Sequence, residues 1–295
     1  MKLGILVVYL VNEDDEPLLD LHLNQIEETT RVPYTIYGSV NRLMPKFRWK
    51  LEQHPEVKIC ECPDTDLRGI YEHSYYLEYL TRAAIQDGVT HVVTLHVDSF
   101  PVRLGWAEKL AQKVSDICVF ATIDPLNTAC LFFPRDFYIR YQPTFLLSRE
   151  DVSSPQCRQY RKKYHVSRHS GIGYGFKAYT EGLSWYSLRE SAKDSADLCS
   201  IYGGLIFHVC GAVRVKEASS LLQSYSHRYI AAIRGLRKAI STLPSPLEKK
   251  LLRRLMKYQS GKPYRVYIAQ ELEYEKRRLF EDPQSYLRQL QESNT

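Results

Sequence analysis

The residues best suited to chemistry lie where an apolar strand ends in an acid. The run from Val92 to Val97 is apolar and β-branched, too short to span a bilayer, and typical of a central strand of a parallel sheet. Asp98 follows it directly. Open α/β sheets bind ligands at the carboxyl ends of their strands, where a carboxylate can hold a divalent cation against a diphosphate. The sequence therefore predicts that Asp98 ligates a metal, with a cap on the next helix as the plainer alternative.

Alternating strands and helices position this acid. Apolar runs predict strands over residues 2–10, 34–40, 57–62 and 90–98. Helical spacing predicts a helix that begins near Pro17 and another over residues 71–86. Four strands separated by helices within the first hundred residues form a βαβ pattern, so the predicted fold class is α/β with a mostly parallel, Rossmann-like sheet.

The later elements continue this sheet. The patterns predict a helix over residues 106–113, strands over 117–123 and 129–134, and a last core strand over 201–208. Residues 134–168 are polar and rich in Tyr and Arg, which predicts an irregular loop or lid on the substrate side. A glycine-rich turn then enters a helix that ends near Gly182.

Length and charge indicate a large domain with a basic appendage. The chain has 295 residues and a net charge of +6, but residues 221–295 hold 15 Lys and Arg against 7 Asp and Glu, so residues 1–220 are nearly neutral. We predict a domain over 1–220 and a basic helical extension over 221–295. Seven scattered cysteines argue against a disulfide framework or a zinc site, and favour a cytoplasmic protein.

The basic extension allows two interpretations. It is either a solvated helical cap or a segment that lies on the anionic inner face of a membrane, which would suit a lipid-linked acceptor. No nucleic-acid-binding motif accompanies the charge, so nucleic acid is not an expected partner.

Three segments of the first 215 or so residues resemble a GT-A-fold glycosyltransferase of the family 2 type. They are ILVVYLVNE, DTDLRGIYEHSYYLEYLTRAA and LHVDSFP. The resemblance implies that the donor is a nucleoside diphosphate sugar and that the acceptor is a saccharide or a lipid-linked hydroxyl. It also implies a set of residues near the nucleotide sugar, namely Tyr9, Glu13, Asn41, Arg42, Asp66, Arg68, His73 and Ser99.

The resemblance further implies a metal site that departs from the usual pattern. LHVDSFP matches the DxD strand of the family, but His96 replaces the first acid and only Asp98 is kept. His208, in the segment IFHVCGAVR, matches a later histidine that completes the coordination in many such enzymes. Imidazole with carboxylate suits Mn²⁺ or Mg²⁺. The alternative for His208 is a core histidine bonded to backbone.

The expected catalytic base is also replaced. Inverting members carry an acid after the acceptor loop, where this chain has His169. A histidine suits this role because its usual pKa of about 6.5 lies near neutral pH. His169 could instead bind substrate or lie beside a helix cap, in which case Asp194 is the fallback base.

Glycines and aromatic residues complete the expected substrate site. Gly171, Gly173 and Gly175 lack the spacing of a dinucleotide fingerprint, and we expect them to let backbone approach the acceptor or the sugar. Trp185, its neighbour Tyr186, and Tyr174 offer aromatic faces for sugars.

The sequence thus predicts a metal-dependent glycosyltransferase, hexosyltransferase-like and inverting. One alternative is a non-catalytic sugar-nucleotide-binding relic of the fold. A nucleotidyltransferase is disfavoured because the segment after the first strand is acidic and lacks the glycine-rich phosphate loop of that class.

Overall fold

The computed structural model describes residues 1–166, 170–194, 198–209, 235–236, 239–240, 247, 251 and 262–292. The chain divides into two compact units: residues 1–191 with 201–208, and residues 192–200 with 209–295. The predicted domain boundary between residues 220 and 221 lies outside the described residues, so that boundary stays a prediction.

Eleven strands occur in the described part of the chain. They are β1 (Leu3–Val8), β2 (Tyr34–Ser39), β3 (Val57–Cys60), β4 (His91–Leu95), β5 (Ser99–Pro101), β6 (Cys118–Ile123), β7 (Asn127–Pro134), β8 (Ser184–Leu188), β9 (Glu190–Lys193), β10 (Cys199–Tyr202) and β11 (Ile206–Val209). Seven of them form a sheet in the order β3-β2-β1-β4-β7-β6-β8, and the four short ones form a sheet in the order β5-β11-β10-β9.

The large sheet is mostly parallel, as predicted. Strand β1 pairs in parallel with β2 and β4, and β2 pairs in parallel with β3. Strand β7 is antiparallel to β4 and β6, and β8 is parallel to β6. The carboxyl ends of β1, β2, β4, β6 and β8 therefore share one edge of the sheet, and the first residues of β7 begin there.

Helices connect and flank these strands. The described α-helices are α1 (Glu16–Thr29), α2 (Pro45–Glu52), α3 (Ile70–Gln86), α4 (Trp106–Ala111), α5 (Arg135–Tyr141), α6 (Arg149–Ser153), α7 (Pro155–Tyr164), α8 (Ile172–Thr180), α9 (Lys262–Glu281) and α10 (Pro283–Glu292). A proline lies in the first turn of α1, α2 and α7, where its missing N–H costs no hydrogen bond. The predicted α/β fold class is confirmed.

The structure corrects two of the predicted elements. Residues 134–168 are not an irregular loop, because α5, α6 and α7 lie within this range. The predicted strand 201–208 is two strands, because Gly203 and Gly204 adopt φ values of 60° and 64° and turn the chain between β10 and β11. Tyr202 and Leu205 close this turn with a backbone hydrogen bond of 3.0 Å.

The second unit contains the C-terminal helix pair. Helices α9 and α10 contact each other through a polar group around Glu275, which accepts hydrogen bonds from the Tyr286 hydroxyl at 2.9 Å and from Arg278 at 3.1 Å. Leu279 and Leu290 are buried. Helices are therefore present in the predicted C-terminal extension.

Most of the predicted basic surface lies outside the described residues, including nearly all of 210–261. None of the described helices combines the length and the apolar character that crossing a bilayer requires. Contact with a membrane and the cellular location stay predictions. The six described cysteines are free thiols.

One half-buried acid contributes to the packing of α3. The Oε1 atom of Glu78 accepts a hydrogen bond of 2.6 Å from the backbone N–H of Phe145. Burial raises the pKa of Glu78 from 4.5 to about 7, against the opposing effects of this hydrogen bond and of Arg82. The folded protein thus holds the proton of Glu78 more tightly than the unfolded chain does.

We predict that Glu78→Gln changes how stability depends on pH. Between the unfolded pKa of 4.5 and the folded value of about 7, the unfolded chain loses the proton first, so the wild-type protein loses stability as pH rises. This loss reaches at most about 3.5 kcal/mol, from about 1.4 kcal/mol per pKa unit. The glutamine keeps an oxygen for Phe145 and does not titrate.

The measurement is urea unfolding of both proteins at about pH 5 and about pH 8. The wild-type protein should lose stability relative to Glu78→Gln at the higher pH. The same change at the exposed Glu56 serves as the control. Equal pH dependence in the wild type and Glu78→Gln would contradict the prediction.

Candidate metal and nucleotide-sugar site

Three side chains with metal-binding atoms meet at the carboxyl end of β4. His96 and Asp98 follow the last residue of β4, in the short turn that leads to β5. Strand β11 pairs antiparallel with β5 and places His208 opposite Ser99. Two segments more than a hundred residues apart in sequence are thereby joined at one point.

The geometry of this group fits a metal ion. The ligand atoms of His96, Asp98 and His208 all lie within 4.8 Å of one another. Asp98 Oδ1 is 3.8 Å from Nδ1 of His96 and 3.7 Å from Nε2 of His208. Asp98 and His208 are buried, and His96 is half-buried. Two imidazoles and one carboxylate form a donor set that first-row divalent metals accept, with coordination positions left over for a ligand.

Ser99 and His22 hold the turn that carries Asp98. The Ser99 hydroxyl accepts a hydrogen bond from the His96 N–H at 2.8 Å and donates one to the Ala129 carbonyl at 2.7 Å. The Ser99 carbonyl accepts from Nδ1 of His22 at 3.0 Å. Burial lowers the pKa of His22 to about 4, so this imidazole is neutral near pH 7, and the carbonyl acceptor fixes its proton on Nδ1.

A pair of hydroxyls orients the ring of His96. Nε2 of His96 lies 3.1 Å from Oγ1 of Thr128, which in turn lies 2.6 Å from Oγ of Ser170. Thr128 is on β7, whose first residues lie at the same sheet edge. With Nε2 held by a hydroxyl, Nδ1 is the ring atom directed at Asp98, as is usual for metal-ligating histidines whose second nitrogen is hydrogen-bonded.

One predicted nucleotide-binding residue lies directly against this group. The ring of His73, on α3, meets the ring of His96 edge-to-face with 5.0 Å between centroids. The rings of His96 and His208 are 5.9 Å apart. Three histidines and Asp98 therefore form one contiguous polar group.

Asn41 and Arg42 follow β2, at the same sheet edge. Asn41 donates from Nδ2 to the Cys62 carbonyl at 2.7 Å. Arg42 pairs with Glu72 of α3, with 2.7 Å between Nε and Oε1. Both residues are exposed, so a ligand at this edge can reach them.

The other predicted nucleotide contacts differ in exposure. Glu13, Asp66 and Arg68 are exposed, and the Arg68 guanidinium donates to carbonyls of its own loop. Tyr9 and Ser99 are buried, and burial raises the pKa of the Tyr9 hydroxyl. Contacts of these five residues with a nucleotide stay predictions.

The predicted base lies outside the described residues, which resume at Ser170 after His169. The fallback base, Asp194, is buried in the second unit, where its Oδ1 atom accepts from the backbone N–H groups of Leu198 at 2.7 Å and Cys199 at 3.0 Å. Asp194 thus binds backbone N–H groups at the beginning of β10.

The glycines of segment 171–175 face protein atoms, so the expectation that they admit an acceptor or a sugar is wrong. A Cβ atom on Gly171 would overlap the carbonyl of Leu126, and one on Gly173 would overlap the carbonyl of Thr144. Gly175 is packed as closely. The missing side chains let α8 approach the neighbouring backbone.

Only some of the predicted aromatic faces are accessible. Tyr174 is fully buried in the core, which excludes it as a surface for a sugar. Tyr186 is exposed, with the Lys113 ammonium over its ring at 5.3 Å. Trp185 is half-buried and lines a cavity.

Three residues of this site are not predicted by the sequence patterns. His96 stands in place of an acid, yet its spacing of two from Asp98 places both in the same turn. Thr128 and His22 carry no local pattern, because sheet register and helix packing bring them to the site.

Comparisons with known proteins add a likeness in fold. No protein-family model and no curated protein sequence matches the chain. Mouse xyloside xylosyltransferase 1 in its apo form is 12% identical, covering 63% of this chain and 85% of its own, with a TM-score of 0.40.

Two bacterial structures are similar to the same degree. Residues 1–349 of S. aureus TarS are 11% identical, covering 92% of this chain and 90% of that one, with a TM-score of 0.43. The glycosyltransferase GlyE of Streptococcus pneumoniae TIGR4 is 12% identical, covering 64% of this chain and 45% of its own, with a TM-score of 0.38. All three TM-scores lie below 0.5, so these similarities carry no conclusion about this chain.

We predict that Thr128→Val weakens metal binding. Without the hydroxyl, Nε2 of His96 loses its partner and the ring loses its fixed orientation, which costs about 10–100-fold in affinity at comparable sites. Calorimetric titration with Mn²⁺ measures this change. Thr128→Ser, which keeps the hydroxyl, should bind like the wild type, and wild-type affinity in Thr128→Val would show that Thr128 does not orient the ligand.

Proposed function

We propose that this protein is a metal-dependent glycosyltransferase that moves a hexose-like unit from a nucleoside diphosphate sugar to a hydroxyl acceptor, with inversion. The observation that carries the proposal is the group of His96, Asp98 and His208 at the carboxyl edge of the sheet. Open α/β sheets bind their ligands at this edge.

The donor set favours an ion that accepts both nitrogen and oxygen. His96 and His208 supply nitrogen, Asp98 supplies oxygen, and the remaining positions suit the oxygens of a diphosphate. We therefore propose Mn²⁺ ahead of Mg²⁺, because imidazole is a better ligand for Mn²⁺. A bound ion of this kind would supply Lewis-acid stabilisation of the negative charge on the departing diphosphate.

The residues on the β1 and β2 side of this group would bind the nucleotide. Arg42 and Arg68 are exposed cations that suit phosphate oxygens. Asn41 and Glu13 offer hydrogen bonds to the base or the ribose, and Asp66 lies in the same loop as Arg68. The ring of His73 is already against His96.

We retain His169 as the base that removes the acceptor proton. Its neighbour in sequence, Ser170, is hydrogen-bonded to Thr128, whose hydroxyl also contacts His96. The alternative, Asp194, already accepts two backbone hydrogen bonds.

The acceptor that we propose is a saccharide or a lipid-linked hydroxyl. In the second case, the basic residues of 221–295 would lie against anionic headgroups, with about 1 kcal/mol for each Lys or Arg near the surface. Most of this segment is outside the described residues.

We expect UDP- or GDP-sugars to raise the melting temperature only when Mn²⁺ is present. Ligand at about a hundred times its Kd stabilises a protein by about 2.7 kcal/mol, which is about 5 °C or more for a domain of this size. Asp98→Asn should abolish the metal-dependent shift, while the exposed Asp116→Asn should keep it. A shift that does not need Mn²⁺, or that survives in Asp98→Asn, would contradict a metal site at this strand.

Substitution of His169 tests the base directly. His169→Asn should lower the turnover of a bound donor by about 10²–10⁴-fold, without a change in the thermal shift by donor and Mn²⁺. His169→Asp should restore part of the rate, because a carboxylate can also accept the proton. Mass-spectrometric detection of glycosylated product measures the rate for the wild type and both variants. An unchanged rate in His169→Asn would show that His169 is not the base.

A further inference from the structure

A cavity of about 170 Å³ lies beside the edge strand β8 of the large sheet. Its walls include Trp185 and Ser187 from β8, Tyr164 from the end of α7, and the turn Asp124–Leu126 between β6 and β7. All of these residues belong to the first unit. None of them is among the predicted metal or nucleotide contacts.

The cavity reaches the sheet edge of the metal group at the turn Asp124–Leu126, and Ser184 and Trp185 line it from the first residues of β8. Relative to β4, it lies on the side opposite the predicted nucleotide contacts. Strand β4 carries the metal group, and β7 and β6 separate it from β8. Neighbouring strands are about 4.8 Å apart, so the cavity is displaced by about 10–14 Å along the edge. Asn41 and Arg42 follow β2, which lies on the other side of β4.

The chemistry of the walls suits a sugar ring. Trp185 and Tyr164 supply aromatic surface, with their ring centroids 4.6 Å apart, and Trp185 is also stacked on Phe120 at 5.6 Å. Ser187 and Asp124 supply a hydroxyl and a carboxylate. No group in the described part of the chain hydrogen-bonds to the Asp124 carboxylate. Ligand sites typically combine aromatic walls with a few such polar groups.

The volume of the cavity matches one ring of a ligand. A protein cavity on the order of 150 Å³ accepts a molecule of benzene, so 170 Å³ admits one six-membered ring. The floor of the cavity is also held in a strained conformation. Leu126 has a φ of 76°, which a bulky side chain rarely adopts, and its carbonyl is packed against Gly171.

We propose that this cavity binds one pyranose ring of the saccharide acceptor. The role of this sugar as the acceptor rests on the proposed function. The binding of the ring itself needs neither metal nor nucleotide. The aromatic rings would contact the apolar face of the sugar, and Asp124 and Ser187 would bind its hydroxyl groups. The displacement of about 10–14 Å across the strands is one that a short oligosaccharide spans.

Saturation-transfer NMR with a panel of methyl pyranosides tests the proposal without metal or nucleotide. The panel contains the methyl glycosides of glucose, galactose, mannose, xylose and N-acetylglucosamine, at tens of millimolar. At least one should give a saturable signal with the wild-type protein. Asp124→Asn should weaken its binding about tenfold, because a charge-assisted hydrogen bond is lost, and Ser187→Leu should abolish binding by filling the cavity.

Tyr186→Ala is the matched control, since Tyr186 neighbours Trp185 and points to the opposite face of β8. It should leave the signal unchanged, as should Asp98→Asn at the metal group. The absence of a saturable signal for every glycoside would overturn the proposal, as would equal binding by the wild type, Asp124→Asn and Ser187→Leu. Loss of the signal in Asp98→Asn would place the sugar at the metal group instead. If the glycoside binds but Mn²⁺ and the donor do not raise the melting temperature, the proposed function is refuted and the sugar-binding cavity is not.

Discussion

The candidate site depends on the antiparallel pairing of β5 with β11. This pairing sets His208 opposite Ser99, one residue from Asp98. Because side chains alternate across a strand, a shift of one residue would turn His208 to the other face. The contact of Phe100 with Phe207, with 5.0 Å between ring centroids and both rings fully buried, favours the observed register. Burial of two aromatic rings also offsets the entropy lost in closing a loop of about a hundred residues.

The direction of the strands then arranges the rest of the edge. Strands β1, β2 and β4 are parallel, so their carboxyl ends and the polar residues that follow them lie side by side. Strand β7 runs the other way and brings Thr128, from its beginning, to the same edge. One reversed strand thereby supplies the hydroxyl that contacts His96. Under the proposed function, nucleotide and acceptor would lie on opposite sides of β4.

Local patterns in the sequence were enough for the first four strands and for the position of Asp98. They failed where contacts between distant segments decide the conformation. The Tyr- and Arg-rich segment 134–168 forms helices because its apolar residues, such as Phe137 and Tyr160, are buried in the core. The glycines of α8 serve the packing of that helix, which only the positions of Leu126 and Thr144 reveal. The role of Thr128 likewise depends on the register of β7 against β4, which no local pattern encodes.

His96 stands where the family that the sequence resembles carries an acid, and this difference changes the charge of the site in a direction that suits the proposed reaction. Ligating imidazoles are neutral, so His96, His208 and Asp98 together carry a charge of −1. With a second carboxylate in place of His96, the charge would be −2. With a divalent cation bound, the present ligand set therefore has a net charge of +1. The ligand set with two carboxylates would have a net charge of zero. Because the residual charge lies in a largely buried group, where screening is weak, it would attract a diphosphate more strongly. The departure from the two-acid pattern is thus compatible with catalysis, and it shifts the ligand set toward metals that accept nitrogen.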